Sequence, residues 1–153
     1  MRARHTTQQV LPALLALPCL SSLSVRQCRG VSDLFAKRAC RALRSRLQAL
    51  DVSDTGITHS KLVKYLTEAP MPRLRKLGAA HLNLSDDHVT RVACANVGLT
   101  SLDLSDNARL TTRGLVAALA SLPSLRAVVL ARCARLGDGV CVALSERCLV
   151  LAR

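Results

Sequence analysis

Apolar residues return along this chain in one short phrase: Leu20-Ser-Ser-Leu23-Ser-Val25, Leu47-Gln-Ala-Leu50-Asp-Val52, Leu74-Arg-Lys-Leu77-Gly-Ala79, Leu99-Thr-Ser-Leu102-Asp-Leu104 and Leu125-Arg-Ala-Val128-Val-Leu130. Successive copies start 27, 27, 25 and 26 residues apart. Positions 4 and 6 of each phrase alternate with polar or small neighbours, which predicts a short strand with one buried face. A second apolar residue follows at Val31, Ile57, Leu84, Leu110 and Leu136, and then a polar pair: Ser32-Asp33, Thr58-His59, Ser85-Asp86, Thr111-Thr112 and Gly137-Asp138. Ser, Thr and Asp side chains accept from the first free amides of a helix, so each pair reads as a helix start. Helical spacing appears next, in Leu62, Val63 and Leu66, in Leu115, Leu119 and Leu122, and in Val140 with Leu144. Pro70, Pro72 and Pro123 then end the helices. Each unit is strand, turn, helix and return, and it buries its apolar face only against its neighbours.

Position 9 of each unit holds Cys28, Thr55, Leu82, Asn107 and Cys133. A side chain there is expected to lie inside the turn and hydrogen-bond backbone groups that would otherwise be buried unpaired. Asn and Cys suit that task, Thr less so, and Leu82 cannot perform it, which marks the third unit as the irregular one.

The phrase Leu125-Arg-Ala-Val-Val-Leu-Ala-Arg-Cys133-Ala-Arg-Leu-Gly-Asp138-Gly-Val-Cys-Val-Ala-Leu144-Ser-Glu-Arg-Cys148 resembles the cysteine-containing leucine-rich repeats of F-box substrate receptors, and Leu20 to Cys28 with Val31-Ser-Asp33 does so in part. Leu102-Asp-Leu-Ser-Asp-Asn107 is similar to the ribonuclease-inhibitor subclass, in which Asn takes the ladder position. The resemblance implies an α/β fold: a right-handed leucine-rich repeat solenoid, a horseshoe with a parallel concave sheet and helices on the convex side. Residues 1–153 then read as a single repeat domain. It has a helical half-unit at 6–19, units starting near 20, 47, 74, 99 and 125, and a partial strand at 149–151. The half-unit is legible because residues 7–20 match residues 112–125 at a shift of 105, Pro18 on Pro123 and Leu20 on Leu125 among them. The competing reading of residues 1–20, with Arg2, Arg4 and no acid before Asp33, is a mitochondrial presequence. The apolar run there is too short and too interrupted by proline to span a bilayer. Both ends lack a polar cap, so the chain reads as a piece of a longer receptor or adaptor, or as one that associates end to end.

Composition fits this architecture. Half of the 153 residues are hydrophobic, yet there is no Trp, one Tyr (Tyr65) and one Phe (Phe35); thin stacked layers of Leu, Val and Ala need little aromatic filler. The seven cysteines are odd in number and form no CxxC pair. Cys28 and Cys133, four units apart, would lie on the order of 19 Å from each other at about 4.8 Å per strand, well beyond disulfide reach. Reduced thiols and a cytoplasmic location follow as the simpler expectation, a mitochondrial one if residues 1–20 act as a presequence. No GxxxxGK[ST], GxSxG or HExxH motif is present, and Asp86-Asp87-His88 sits where acids favour a helix start. No catalytic residue, cofactor or metal is therefore expected.

Charge locates the surfaces. Positions 2, 3, 5, 7 and 8 of each unit are expected to point outward on the concave face, where Asp51, Asp54, Asp103 and Asp106 stand against Arg26, Arg75, Lys76, Arg126 and Arg132. The second and fourth strands carry the acids and their neighbours the bases, close enough to pair. That face is nearly neutral, although the chain carries +12 overall. The expected partner-binding residues are Asp51, Asp54, Arg75, Lys76, Asp103, Asp106, Arg126 and Arg132, and the expected partner is a protein, as the resemblance also implies. Acid and base stripes that only pair with each other are the competing account. The densest basic run is Lys37, Arg38, Arg41, Arg44 and Arg46, with Lys37, Arg41 and Arg44 on one helical stripe. Lys37, Arg38, Arg41 and Arg44 make the alternative patch, through which a basic structural or assembly subunit would dock on RNA, a ribonucleoprotein or a mitochondrial complex.

Overall fold

Six three-residue strands form the spine of the molecule: β1 Ser22–Ser24, β2 Ala49–Asp51, β3 Lys76–Gly78, β4 Ser101–Asp103, β5 Ala127–Val129 and β6 Val150–Ala152. They come from a computed structural model, which describes residues 12–14, 16–145 and 150–152. The strands lie side by side in chain order, every pair parallel. Their register aligns the fourth residue of each phrase, Leu23 with Leu50, Leu77, Leu102, Val128 and Leu151. Units of unequal length thus keep one strand alignment, because the differences are taken up in the helices and turns. Between the strands run α1 Asp33–Leu43, α2 His59–Glu68, α3 Asp86–Ala95, α4 Thr112–Leu119 and α5 Gly139–Ser145. Each helix packs on the next. This is the α/β repeat solenoid expected from the pattern. The predicted sixth strand is present one residue later than expected. Residues 12–14 are helical, but the rest of the expected half-unit at 6–11 and at 15, with Leu149 and Cys148, lies outside the described residues.

The apolar positions fill one continuous core. Leu43, Leu66, Leu99, Leu104, Leu110 and Leu115 are among its fully buried side chains, and each such leucine contributes about 1.5–3 kcal/mol relative to exposure. Val31, Ile57, Leu84 and Leu110 are buried as the spacing predicts, and Leu136 is half-buried. Ser32, Thr58, Ser85 and Thr111 are the residues that precede the first four helices.

Thr111 accepts the Gly114 amide (3.2 Å), but Ser32 and Thr58 make no side-chain cap, and the polar pairs act chiefly between units. The amide of Thr58 donates to Asp33 Oδ1 (2.8 Å) and its hydroxyl to Oδ2 (3.0 Å). Thr111 does the same to Asp86, at 2.9 Å from its amide and 2.7 Å from its hydroxyl. The amide of Gly137 donates to Thr112 Oγ1 (3.0 Å). The first residue of one helix therefore holds the entry to the next. Asp86 is close enough to the α4 start that a Cβ on Gly114 would land on its carboxylate.

The turns that leave the strands share one backbone geometry. Gln27, Asp54, His81, Asp106 and Arg132, all at position 8, have φ between 52° and 61°. This left-handed region costs most residues about 1–2 kcal/mol, and the surrounding sheet imposes it five times. The bend corrects two expectations. Position 7 turns inward in the second, third and fourth units, so Ser53, Ala80 and Ser105 are buried rather than presented on the concave face, whereas Arg26 of the first unit stays exposed as expected. Position 9 is internal in the later units: Asn107 is fully buried and Cys133 nearly so, but Cys28 is exposed, with no earlier turn beside it among the described residues. The third unit is irregular, as Leu82 implied: Asn83 adds a second left-handed residue, φ 56°, found in no other described turn. Its backbone is served from the fourth unit. Asn107 Oδ1 accepts from the Leu84 amide (2.8 Å), and Asn107 Nδ2 donates to the carbonyls of Ala79 (3.0 Å) and Leu104 (2.8 Å).

Candidate functional site

Residues at strand positions 3 and 5 build the concave face. Position 3 contributes Ser22, Ala49, Lys76, Ser101 and Ala127, and position 5 contributes Ser24, Asp51, Gly78, Asp103 and Val129. Nearly all are small, so the face is a shelf with little relief. It holds a depression of about 220 Å³ across β1–β4, with Lys76, Asp51 and Asp103 as its charged lining and Gly78 between the two acids. Gly78 is required there, because a Cβ would land on the Asp51 carboxylate.

The acids are held on both sides. Asp51 Oδ1 accepts the amide of Ser53 (3.0 Å), and Asp103 Oδ1 accepts both the amide (3.0 Å) and the hydroxyl (2.7 Å) of Ser105. These are Asx turns that aid the bend into position 8. The Asp-x-Ser-Asp pattern is thus a turn device as well as a charge stripe. Across the face, Arg26 Nη1 lies 3.2 Å from Asp103 Oδ2 and 3.8 Å from Asp51 Oδ2. One guanidinium at the end of β1 therefore reaches the fourth strand. At the left-handed corner, Arg132 Nε and Nη2 each donate to an Asp106 oxygen at 2.6 Å, and His81 Nδ1 lies 3.3 Å from Asp54 Oδ1. The hydrogen bond from Arg132 holds the Asp106 carboxyl below the usual carboxylate range, and the same bond raises the Arg132 pKa.

The expected concave residues therefore divide. Asp51 and Asp103 meet through Arg26, and Asp106 meets Arg132. Asp54 meets His81, a partner the sequence reading passed over. Lys76 stands exposed at the depression, and Arg126 is exposed without an ion pair among the described residues. Arg75 departs from expectation. Its Nη1 donates to the carbonyls of Leu74 (3.2 Å), Pro72 (3.3 Å) and Gly98 (3.3 Å), so it ties a turn together.

On the convex side Lys37, Arg38, Arg41 and Arg44 are all exposed on or beside α1. Arg44 Nε donates to the Pro70 carbonyl (3.0 Å). Lys37 and Arg41 face Lys61 and Lys64 of α2 across a cleft of about 360 Å³, which also has Tyr65 and Glu68 in its lining. The charge on α2 was absent from the sequence expectation, since only the fold brings it beside α1. Lys64 lies 3.5 Å from Glu68.

Among the described residues no group of three or more His, Cys, Asp or Glu side chains could hold a metal ion, and no helix is long and apolar enough to cross a membrane. His88 closes the start of its own helix by accepting the Ser85 amide at Nδ1 (3.2 Å). The six described cysteines are all free thiols, and burial pushes the Cys40 thiol up to about 12.

No protein-family model matches the chain, and no curated protein matches it. Solved structures are similar in fold. The tropomodulin C-terminal domain from Caenorhabditis elegans aligns with a TM-score of 0.70 at 14% identity, over 92% of this chain and 90% of that one. The TLR13 chain of a TLR13–ssRNA13 complex aligns with a TM-score of 0.61 at 21% identity; the match covers 90% of this chain but 19% of TLR13. Leiomodin-1 actin-binding site 2 aligns with a TM-score of 0.50 at 16% identity, over 94% of this chain and 75% of that one. At these identities the likeness shows the fold, an α/β leucine-rich-repeat-like solenoid.

Proposed function

We propose that this chain is a non-catalytic interaction module that binds a protein partner on its concave sheet. One observation carries the reading: the small-residue depression over β1–β4, with Lys76 exposed beside it and Asp51 and Asp103 fixed by their own turns and by Arg26. Side chains that are already ordered lose little freedom when a partner arrives, and fixed charges favour a particular partner over bulk affinity. The leiomodin-1 structure of similar fold is an actin-binding site, which supports a protein partner here without naming one.

The test uses Ser22 and Lys76, both exposed strand positions beside the depression. The double variant Ser22→Arg, Lys76→Glu introduces bulk and reverses a charge without touching the core. Proteins retained by the immobilised full chain at 0.15 M salt are compared with those retained by this variant and by Lys37→Glu, Arg41→Glu. Partner signals are expected to fall at least about tenfold with the concave variant, the size of a central interface loss, and to persist with the convex one. An unchanged set of retained proteins with the concave variant refutes the reading.

A further inference from the structure

The convex cleft between α1 and α2 has features that the concave face lacks. Lys37 and Arg41 are one helical turn apart on α1, about 6 Å along the axis, and Lys61 and Lys64 are similarly placed on α2. The four cations line one cleft of about 360 Å³. Among the described residues Lys37, Arg41 and Lys61 make no ion pair, and Lys64 meets Glu68 alone. Arg38 adds a fifth exposed cation on α1. The α3 and α4 helices carry no comparable concentration: Arg91 and Arg113 stand with Asp87 nearby in sequence. On the concave face, by contrast, Arg26 and Arg132 are paired with Asp51, Asp103 and Asp106. A dense cluster of unpaired positive charge therefore sits at the first two helices.

Tyr65, the chain's one tyrosine, is half-buried in this cleft, packed against the core on one side and lining the cleft on the other. Cys40 and Ala69 complete an apolar base. Cations beside an aromatic ring suit a chain that alternates anionic groups with flat rings. A cleft of this size holds one group of nucleotide dimensions. Adjacent packed helices stand about 8–10 Å apart, which excludes a duplex from the cleft and admits a flexible single strand. We infer that the α1–α2 cleft binds single-stranded RNA, with Lys37, Arg41, Lys61 and Lys64 on the phosphates of the strand entering and leaving it and Tyr65 against a base. An acidic peptide offers the anions but no ring for Tyr65, so it is the outcome to be excluded. The inference is independent of the concave reading, since it uses none of the same side chains.

Fluorescence anisotropy of the full chain with a labelled twelve-residue oligouridylate tests it, alongside a labelled twelve-residue polyglutamate. Four phosphate contacts on a single strand give a slope of about −2.8 in log affinity against log salt, or about 50-fold weaker binding between 50 and 200 mM. Lys61→Glu, Lys64→Glu is expected to abolish binding, and Glu68→Gln to tighten it by releasing Lys64 and removing a repelling charge. Circular dichroism checks that both variants keep the native fold; Glu68 is an exposed residue whose change to Gln leaves the core untouched. The concave variant Ser22→Arg, Lys76→Glu should bind the oligonucleotide like the parent chain. Polyglutamate binding as tight as the RNA, RNA binding unmoved by Glu68→Gln and by the Lys61/Lys64 reversal, or binding lost with the concave variant overturns the inference.

Discussion

Replacing Asn107 by Ala removes the one side chain that joins the third and fourth turns from within. Asn107 is fully buried. Its amide satisfies the Leu84 N–H and the Ala79 carbonyl, and neither has another partner in the described hydrogen-bond pattern. The Leu104 carbonyl is less exposed to the loss, because Cys133 Sγ also donates to it at 3.3 Å; the Ser105 carbonyl retains the His81 amide. Two buried groups are thus orphaned, at about 1–3 kcal/mol each, so Asn107→Ala should cost about 2–6 kcal/mol. That is a large share of the roughly 5–15 kcal/mol available to a domain. Urea titration followed by far-UV circular dichroism measures it as a lower midpoint at unchanged slope. Asn107→Cys, which copies the residue at the same position of the fifth unit, retains a carbonyl contact and should cost less. Cys28→Ala, at the exposed copy of that position, should shift stability by under about 0.5 kcal/mol. If Asn107→Ala falls within that same range, the ladder argument is wrong.

Two further predictions concern titratable groups. His88 has its pKa lowered below 6.5, first by burial and then by His59, whose ring centroid is 4.8 Å away. A histidine whose folded value is depressed stabilises the fold above its unfolded value, and that contribution is lost as pH falls from about 6.5 through the lowered one. Melting temperature should therefore decline over that window, and His88→Gln, which keeps an acceptor at the third helical position, should flatten the decline; identical profiles for the two proteins would contradict the assignment. Cys40 is buried with its thiol pushed up to about 12, whereas Cys28 and Cys94 are exposed. Iodoacetamide at pH 8 should modify Cys40 at least about a hundredfold more slowly in the native protein. Equal native rates by mass spectrometry would show that the α1 core opens freely.

The hydrophobic pattern carried the strands and helix starts because both depend on local alternation: Leu23, Leu50, Leu77, Leu102 and Val128 are all strand centres, and Ser32, Thr58, Ser85 and Thr111 all precede helices. It misplaced position 7 in the second to fourth units, since strict alternation continues past the strand end while the chain itself bends at the left-handed residue after Ser53, Ala80 and Ser105; Arg26, at the same position of the first unit, is exposed as expected. Arg75 looked like a concave cation because its position in the phrase is outward, yet three carbonyls in its own turn and the next hold it. Two contributors could not be read locally. Arg26 acts on Asp103, 77 residues away, and buried Asn96, outside the repeated phrase, accepts the Met71 amide and donates to the Leu66 carbonyl in the preceding unit. The α1–α2 cleft was half legible: the α1 cations form a dense run, whereas Lys61 and Lys64 become their neighbours only through stacking.

Dependence between units runs in both directions along the solenoid. At the helix starts, Thr58 relies on Asp33 and Thr111 on Asp86, so each unit leans on the one before it. At the turns, Ala79 and Leu84 rely on Asn107 and Leu104 on Cys133, in the unit after, whereas Ala80 relies on Ser53 in the unit before. A unit stripped of either neighbour loses hydrogen bonds along a whole edge, as an overlapped tile fails whichever adjoining tile is lifted. Melting that begins at one unit should therefore advance both ways along the stack, which couples the α1–α2 cleft to the concave depression through the stability of the units they share.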